Sequence, residues 1–451
     1  MAMAHTGVLI LSHCGFSFAE DLIAAIRSRG LQPFVLSSLP LPEHGEERLN
    51  KLRSMAAAVL ASDSHVLGAG DVERAIASLQ AQGHSIRACI SVWEGYRALM
   101  AHANMLLGVS DLPAQRIEFL RDKFAVRSEL HRTGLSRIAA RVLTPDVLDA
   151  LKRDGGRYFI KPARGIASYG AFRLAPDTTW ATLEAIAAHA HADTVYASAL
   201  GETVTFVAED YLGGTEFSFE LLVSHGDPHV FAIHEKCELT EANGTVLEDS
   251  CTSPPASISA GSVAAGLAWL RAVFAQLQLD WGCFHVEARF DGSRWDLIEI
   301  NPRVGGSLIS PSVKSLNGEA GMLELWLALL LEQAGGVQYA GLANTFRRLA
   351  YQQDGTPPTA LATFFRVYFA APGQIDSIEV RPGTRHPVIE QILLKAGDVV
   401  PDTPREAFLG QLLWSMTRAE RDETLTALLA ESATTIDVRY RTPSLALEAQ
   451  S

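Results

Sequence analysis

The sequence predicts two kinds of architecture in one chain: an α/β unit with a parallel sheet in the first third, and an α+β unit of hairpins after it. Three observations carry this. Residues 7–12 form an apolar run closed by a glycine turn, an amphipathic stretch follows over 18–29, and a second apolar run occupies 33–38, which is the order of a βαβ unit. A further strand at 87–92 follows a helical stretch at 72–82. From Tyr158 onward the elements shorten to strands separated by turns, with few helices between them.

In order, the stretch 94–107 reads as helix, breaks at Asp111-Leu-Pro113 and resumes over 115–133. Strands are expected at 158–161, 170–174, 204–210, 216–223 and 229–234. A helix over 260–277 separates these from strands at 285–290 and 295–301. The apolar run 322–331, around Trp326, fits a helix of the core and is assigned no ligand. Gly335-Gly336 and Pro357-Pro358 suggest a boundary near 340–358. A small last segment follows, with a strand at 363–370 and helices over 406–429, and the tail past Arg441 reads as frayed. No internal repeat or low-complexity tract is visible.

Composition narrows the function. The chain has 451 residues, which predicts about three domains. Its net charge is −13 with no block of like charges, an acidic balance that disfavours nucleic acid. There are seven lysines among 38 basic residues, so a lysine inside a motif carries extra weight. Five scattered cysteines without a C-x-x-C pair argue against a disulfide framework and a structural zinc site. The start lacks the pattern of a secretory signal, and no apolar run reaches the ~20 residues that span a bilayer. A cytoplasmic protein without membrane partners is expected, with a homodimer as the default assembly.

Three segments carry chemistry. The first is His285-Val-Glu-Ala-Arg-Phe-Asp-Gly-Ser-Arg-Trp-Asp-Leu-Ile-Glu-Ile-Asn-Pro-Arg303. Asp291-Gly292 signals a hairpin, and a three-residue loop over Gly292–Arg294 would set Glu287 opposite Glu299 and His285 opposite Asn301. Facing carboxylates repel unless a cation lies between them, and a Glu, Glu, Asn oxygen set suits Mg²⁺. Alone, the pair fits a solvated strand face equally well. The second segment, residues 158–172, delivers Lys161 on a strand and then a loop of small residues whose N–H groups could cover phosphates. Taken alone, an ordinary hairpin with a surface lysine is the favoured reading, since two glycines in a loop are weak evidence. The third, residues 207–220, places Glu209 before the Gly213-Gly214 turn and Glu216 after it, and is no more specific than a β-turn.

In this order and spacing the segments resemble the ATP-grasp superfamily over roughly residues 94 to 310, from the lead-in Arg121-Asp-Lys-Phe-Ala-Val-Arg-Ser-Glu-Leu130 to the Glu-x-Asn-x-Arg motif at 299–303. The subgroup that the chain looks like most is the L-amino acid ligases, carboxylate–amine ligases that join free amino acids. The resemblance implies a Rossmann-like domain over 1–115 and an ATP-grasp domain over 116–345, followed by an α+β lid segment over 346–451. Within the ATP-grasp domain, lid hairpins would lie near 155–208 and a metal-binding lobe over 209–345. It further implies that Lys123 and Lys161 contact ATP phosphates, with Ser168 and Gly170 in the covering loop. Glu209 and Leu212 would lie at the adenine hinge, and Glu216 would hold the ribose. Glu287, Glu299 and Asn301 would ligate two Mg²⁺ ions, with Mn²⁺ as a substitute, and Arg303 would stabilise an acyl phosphate. The loop Arg164–Gly170 departs from the family pattern, carrying bulky Ile166 and Tyr169 where Gly and Ser are usual.

The expected reaction activates a carboxylate on ATP and condenses it with an amine, yielding a dipeptide or amide, ADP and phosphate. A ligase acting on bicarbonate, formate or a purine precursor is the alternative within the superfamily. A nucleotide-binding module without catalysis is the alternative outside it. For the amine's proton the candidates are His234 and Glu235, with Lys236 touching phosphate, ahead of a polar stretch Cys237–Ser253 expected to be a substrate loop. His234 reads equally as a hydrogen-bonded strand-end residue. Lys314 is a further candidate for a substrate carboxylate.

Overall fold

The computed structural model describes residues 5–14, 18–42, 45–166, 168–201, 203–242, 245–332, 341–402 and 407–441. Strands β1 (Thr6–Ser12), β2 (Gln32–Ser37), β3 (Ala58–Ala61) and β4 (Ser85–Ile90) form a parallel sheet in the order β3-β2-β1-β4. The helix Ala19–Arg27 returns the chain between β1 and β2 and buries Leu22, Ile23 and Ile26 on one stripe. Strand order reverses between β1 and β4, and their carboxyl ends open the crevice where such sheets offer a ligand site. A single 3-10 turn, Glu94–Tyr96, and the helix Arg97–Leu107 leave from the end of β4.

A small antiparallel sheet follows: β5 (Ala140–Val142), β6 (Tyr158–Pro162), β7 (Phe172–Arg173) and β8 (Phe206–Asp210), in the order β5-β8-β6-β7. Its apolar side packs Ile160, Phe206 and Ala208 against Leu148, Leu151 and Leu183 of two helices.

The largest sheet is antiparallel. It comprises β9 (Thr215–Ser224), β10 (Asp227–Ala242), β11 (Thr245–Ser253), β12 (Gly282–Phe290), β13 (Trp295–Asn301) and β14 (Leu361–Ala370). The strands β16 (Ile389–Ile392) and β18 (Ala407–Thr417) complete it, in the order β13-β12-β9-β10-β11-β14-β18-β16. The remaining strands, β15 (Gly373–Val380), β17 (Val399–Val400) and β19 (Ile436–Tyr440), pair as β17-β15-β19. Alternation gives the large sheet two faces. Phe217, Phe219, Leu221, Val286 and Ala288 pack under the helix Ala260–Gln276, which Ser259 caps by accepting from the Ser262 N–H. Glu216, Ser218, Glu220, His234, Lys236, His285 and Glu287 line the opposite face.

Two expectations are corrected. The stretch Cys237–Ser253 is the β10–β11 hairpin, not a substrate loop, although residues 243–244 at its tip lie outside the described set. Its charged residues meet partners on other strands, Glu238 with Arg366 of β14 and Glu248 with Lys236 of β10. Residues 407–417 form a strand where a helix was expected. Leu412 and Trp414 join one core and Leu413 another, and a run buried on both sides has no period to separate strand from helix. Strands β14, β18 and β16 of the last segment extend the same sheet as β12 and β13. Gly335-Gly336, Glu406 and the residues past Arg441 lie outside the described set. Trp326 is in the core as expected, fully buried. Among the described residues no helix is long and apolar enough to cross a membrane.

Arg97 ties the first sheet to the large one. It is 1% exposed, donates from Nε to the Pro302 carbonyl at 2.7 Å, and pairs through its guanidinium with Asp111. Asp111 also accepts from Asn104, which brackets the Cys89 backbone on β4. Removing one member of a buried pair leaves an uncompensated charge, so Arg97→Met should cost about 3–5 kcal/mol of stability. Chemical denaturation measures this, and a loss below about 1 kcal/mol would contradict the assigned role.

Candidate functional site

The hairpin β12–β13 sets the site. Glu287 pairs with Glu299 and His285 with Asn301, the register expected from the sequence. The route to that register differs. Phe290 pairs with Trp295 across a four-residue loop, Asp291–Arg294, and the register shifts between Glu287 and Ala288 so that Ile298 has no partner on β12. This bulge restores the odd offset that a three-residue loop would have supplied. Ser293 and Arg294 both donate backbone N–H groups to Asp291 Oδ1, at 2.9 and 2.8 Å, which fixes the longer loop.

The backbone around the bulge is then used by two cations. Lys161 Nζ donates to the Ile298 carbonyl at 3.3 Å. Arg127, 2% exposed, donates to the carbonyls of Leu297 and Ile298. It also pairs with Glu209 at 3.1 Å and Asp296 at 3.3 Å. Lys161 meets Glu209 from the neighbouring strand at 2.8 Å. Desolvation pushes the Glu209 carboxyl up, but Arg127 and Lys161 outweigh it and hold it below its ordinary value. Desolvation lowers Lys161 more than Glu209 raises it.

Lys123 approaches from the helix Lys123–Arg132 and reaches Glu299 Oε2 at 3.2 Å. Desolvation favours a neutral Glu299, yet Lys123, with a hydrogen bond from Asn301 at 2.8 Å, brings it down to about 2. Glu287 faces His285 instead, at 3.0 Å, and the other ring nitrogen of His285 meets Glu220 at 2.8 Å. Both carboxylates accept, so the imidazole donates from both nitrogens. Burial would lower His285, but Glu220 and Glu287 raise it to about 9. Glu220 is held well below its ordinary value against strong desolvation by His285 and His234. On the adjoining part of the face, carboxylate oxygens of Glu216, Glu248 and Glu287 lie within 4.8 Å of one another. Arg289 holds Glu216 at 2.9 Å, and Lys236 pairs with Glu248.

One cleft of about 980 Å³, part of it open to solvent, is lined by Lys123, Lys161, Ser168, Glu209, Leu212, Glu216, Glu287 and Glu299. Gly170 stands beside it with φ of +70°, and a β-carbon there would lie 2.9 Å from Ile186. Gly214, at φ +100°, passes so near Phe290 that a β-carbon would lie 2.3 Å from its carbonyl oxygen. Only glycine lets the connector from the small sheet enter β9 at that distance.

Other expected residues fall elsewhere. His234 shares the polar face but is fully buried, bonded to Ser312 at 2.8 Å beneath the helix Ile309–Asn317. Glu235 accepts from the N–H groups of Ala256 and Ser257, a structural role. Lys314 pairs with Glu324 at the surface. Asn301 adjoins the cleft through Glu299, and Arg303 lies past it, paired with Glu94 at 2.9 Å. Sequence reading gave no site role to Glu94, Arg127, Glu220, Glu248 and Arg289, although it set Arg289 on the strand face of Glu287. Arg127 was within reach, four residues past Lys123 on one helix face. Glu94, Glu220 and Arg289 depend on partners 65 to 209 residues away.

A small antiparallel sheet and a large one, each giving charged residues to the cleft between them, make an ATP-grasp fold. Residues 157–311 match the family described as ATP-grasp domain. The structure is similar to the L-amino acid ligase from Bacillus licheniformis, with TM-score 0.71 and 16% identity over 98% of this chain and 100% of that one. It is also similar to phosphoribosylglycinamide synthetase from Anaerococcus prevotii, with TM-score 0.65 and 13% identity over 97% and 100%. Biotin carboxylase from Campylobacter jejuni is a third similar structure, with TM-score 0.63 and 12% identity over 96% and 92%. No curated protein matches the chain in sequence.

His285 generates a pH prediction. Its folded pKa lies above the ordinary 6.5, so its stabilising contribution is complete below that pH and fades as pH rises through about 9. The stability gap between the wild type and His285→Asn should therefore narrow over this window. Denaturant midpoints across the range measure the gap, and one that widened would overturn the charged bridge.

Proposed function

We propose that the chain is an ATP-dependent ligase that activates a substrate carboxylate as an acyl phosphate and joins it to an amine, forming a dipeptide or a related amide. The observation that carries this reading is the convergence of Lys123 and Lys161 with Glu287 and Glu299 on one cleft. Two lysines suit the phosphates of ATP, and preorganised charge is most of what phosphoryl transfer asks of a protein. The full-length likeness to an L-amino acid ligase supports amino acids as substrates, and the other similar structures support the wider class.

In this reading Lys123 and Lys161 bind phosphates, and the loop with Ser168 and Gly170 covers them. The connector at Glu209–Leu212 takes the adenine and Glu216 the ribose. Glu209 acts there through Lys161, which it orients. Glu287, Glu299 and Asn301 offer hard oxygen donors of the kind that Mg²⁺ or Mn²⁺ selects, and facing carboxylates fit a divalent ion or two. Such an ion would neutralise phosphate charge. The substrate carboxylate displaces ADP from the γ-phosphorus, and the amine then displaces phosphate from the acyl carbon. Arg303 binds the acyl phosphate bidentately, and Lys236 touches phosphate from β10. The small sheet acts as the lid that excludes water. Domain limits of 1–115, 116–345 and 346–451 accompany this reading.

Phosphate release from ATP and Mg²⁺ against amino acids, singly and in pairs, tests it together with the masses of the products. Release that requires a pair and yields a condensed mass is expected. Release independent of every amino acid would overturn the substrate class. Glu299→Gln should keep the fold and abolish ADP release, and turnover within about threefold of wild type would remove the metal role. Arg303→Lys should lower turnover by about tenfold or more, since a point charge cannot grip two oxygens. A near-normal rate there would remove Arg303 from the chemistry.

A further inference from the structure

We propose that Glu94 handles the amine substrate, binding the incoming ammonium beside Arg303 and taking its proton before attack. This rests on the ligase reading above and supplies the proton acceptor that it lacks. An aliphatic amine arrives protonated at neutral pH and is not a nucleophile until it loses a proton. A cation entering beside Lys123, Lys161 and Arg303 also needs a carboxylate to offset their charge.

Glu94 is where those requirements meet. It opens the turn Glu94–Tyr96 at the carboxyl end of β4, next to the β1–β4 crevice, and is 4% exposed. Its Oε2 accepts from Arg303 Nη2 at 2.9 Å and Nε at 3.3 Å. Among the described residues Arg303 is its hydrogen-bond partner, through that oxygen alone, which leaves Oε1 for a ligand. Desolvation lowers the Lys123 pKa, and Glu299 followed by Glu94 raises it.

The turn is held firmly. Trp93 Nε1 donates to Ser198 Oγ at 2.7 Å, and its ring stacks on His13 with centroids 4.5 Å apart. Tyr96 Oη meets His13 Nδ1 at 2.8 Å. A β-carbon on Gly95 would lie 2.7 Å from the Ser198 carbonyl oxygen. Rigid support of this kind suits a group that must meet a reacting atom.

The step balances without a further reagent. The ammonium gives one proton to Glu94, and its lone pair forms the C–N bond at the acyl carbon. The bond from that carbon to the phosphate oxygen breaks, and phosphate leaves with the second nitrogen proton.

Hydroxylamine, neutral and nucleophilic at pH 7, separates the two halves of the reaction. With the full chain, ATP, Mg²⁺ and a substrate pair that turns over, hydroxamate and amide formation are measured side by side. In Glu94→Gln, amide formation should fall about 100-fold or more, and at least about tenfold further than hydroxamate formation. The residual amide rate should climb with pH as free amine accumulates. Equal loss of both products, or an amide rate near wild type, would overturn the proposal. A wild type that makes neither product overturns the ligase reading and this proposal with it. If Glu94→Gln fails to fold, Glu94→Asp serves, with an expected rise in KM for the amine of about tenfold at unchanged KM for ATP. Equal rises in the two KM values would contradict the assignment.

Discussion

The cleft depends on Arg127 and on the bulge at Ile298 that it fills. A guanidinium 2% exposed, with partners on β8 and β13, is the link between the small sheet and the large one. Its planar fork meets the two oxygens of Glu209 and two carbonyls of β13, an arrangement that a lysine could not reproduce. The same bulge moves every residue after Ile298 by one place, and so decides which side chains reach the polar face. Without it, Glu299 and Asn301 would point into the core with Leu297's neighbours.

A second consequence of this arrangement is charge balance. Glu209, Glu216, Glu248, Glu287 and Glu299 each have a cationic neighbour: Lys161, Arg289, Lys236, His285 and Lys123 respectively. Buried carboxylates otherwise shift their pKa and neutralise. With these partners in place, a polyanionic ligand would enter by exchanging them rather than by meeting an uncompensated field. The polar face of the large sheet is therefore a prepared electrostatic surface, with Glu220 at its buried end and Glu287 at its open one.

Much of the arrangement was legible in the sequence because it is local. The hairpin 285–301, the strand bearing Lys161 and the Gly213-Gly214 turn all follow from alternation and turn residues. The register of Glu287 with Glu299 was also accessible, but through a symmetry of odd offsets that does not distinguish a loop of three from a loop of four with a bulge. His234 could be placed on the correct face, yet nothing near it in sequence reveals that a helix seventy-odd residues later covers it. Glu94 and Arg303 illustrate the same limit, since they are 209 residues apart. Strand 407–417 was lost for a different reason, its burial on both sides.

The continuity of the large sheet constrains how the cleft can open. Strands β12 and β13 at one end and β18 and β16 at the other belong to a single hydrogen-bonded array, so they cannot swing past one another without breaking ladder bonds. Among the described residues the small sheet shares no ladder with that array. Polar contacts that join this part of the chain to the rest include Arg127 and Lys161 on the β13 carbonyls, the Trp93–Ser198 contact, Arg164 on Glu118 and the Lys123 N–H on the Ala163 carbonyl. Opening is therefore a matter of separable polar contacts, and the residues that make the cleft are also those whose exchange would release it.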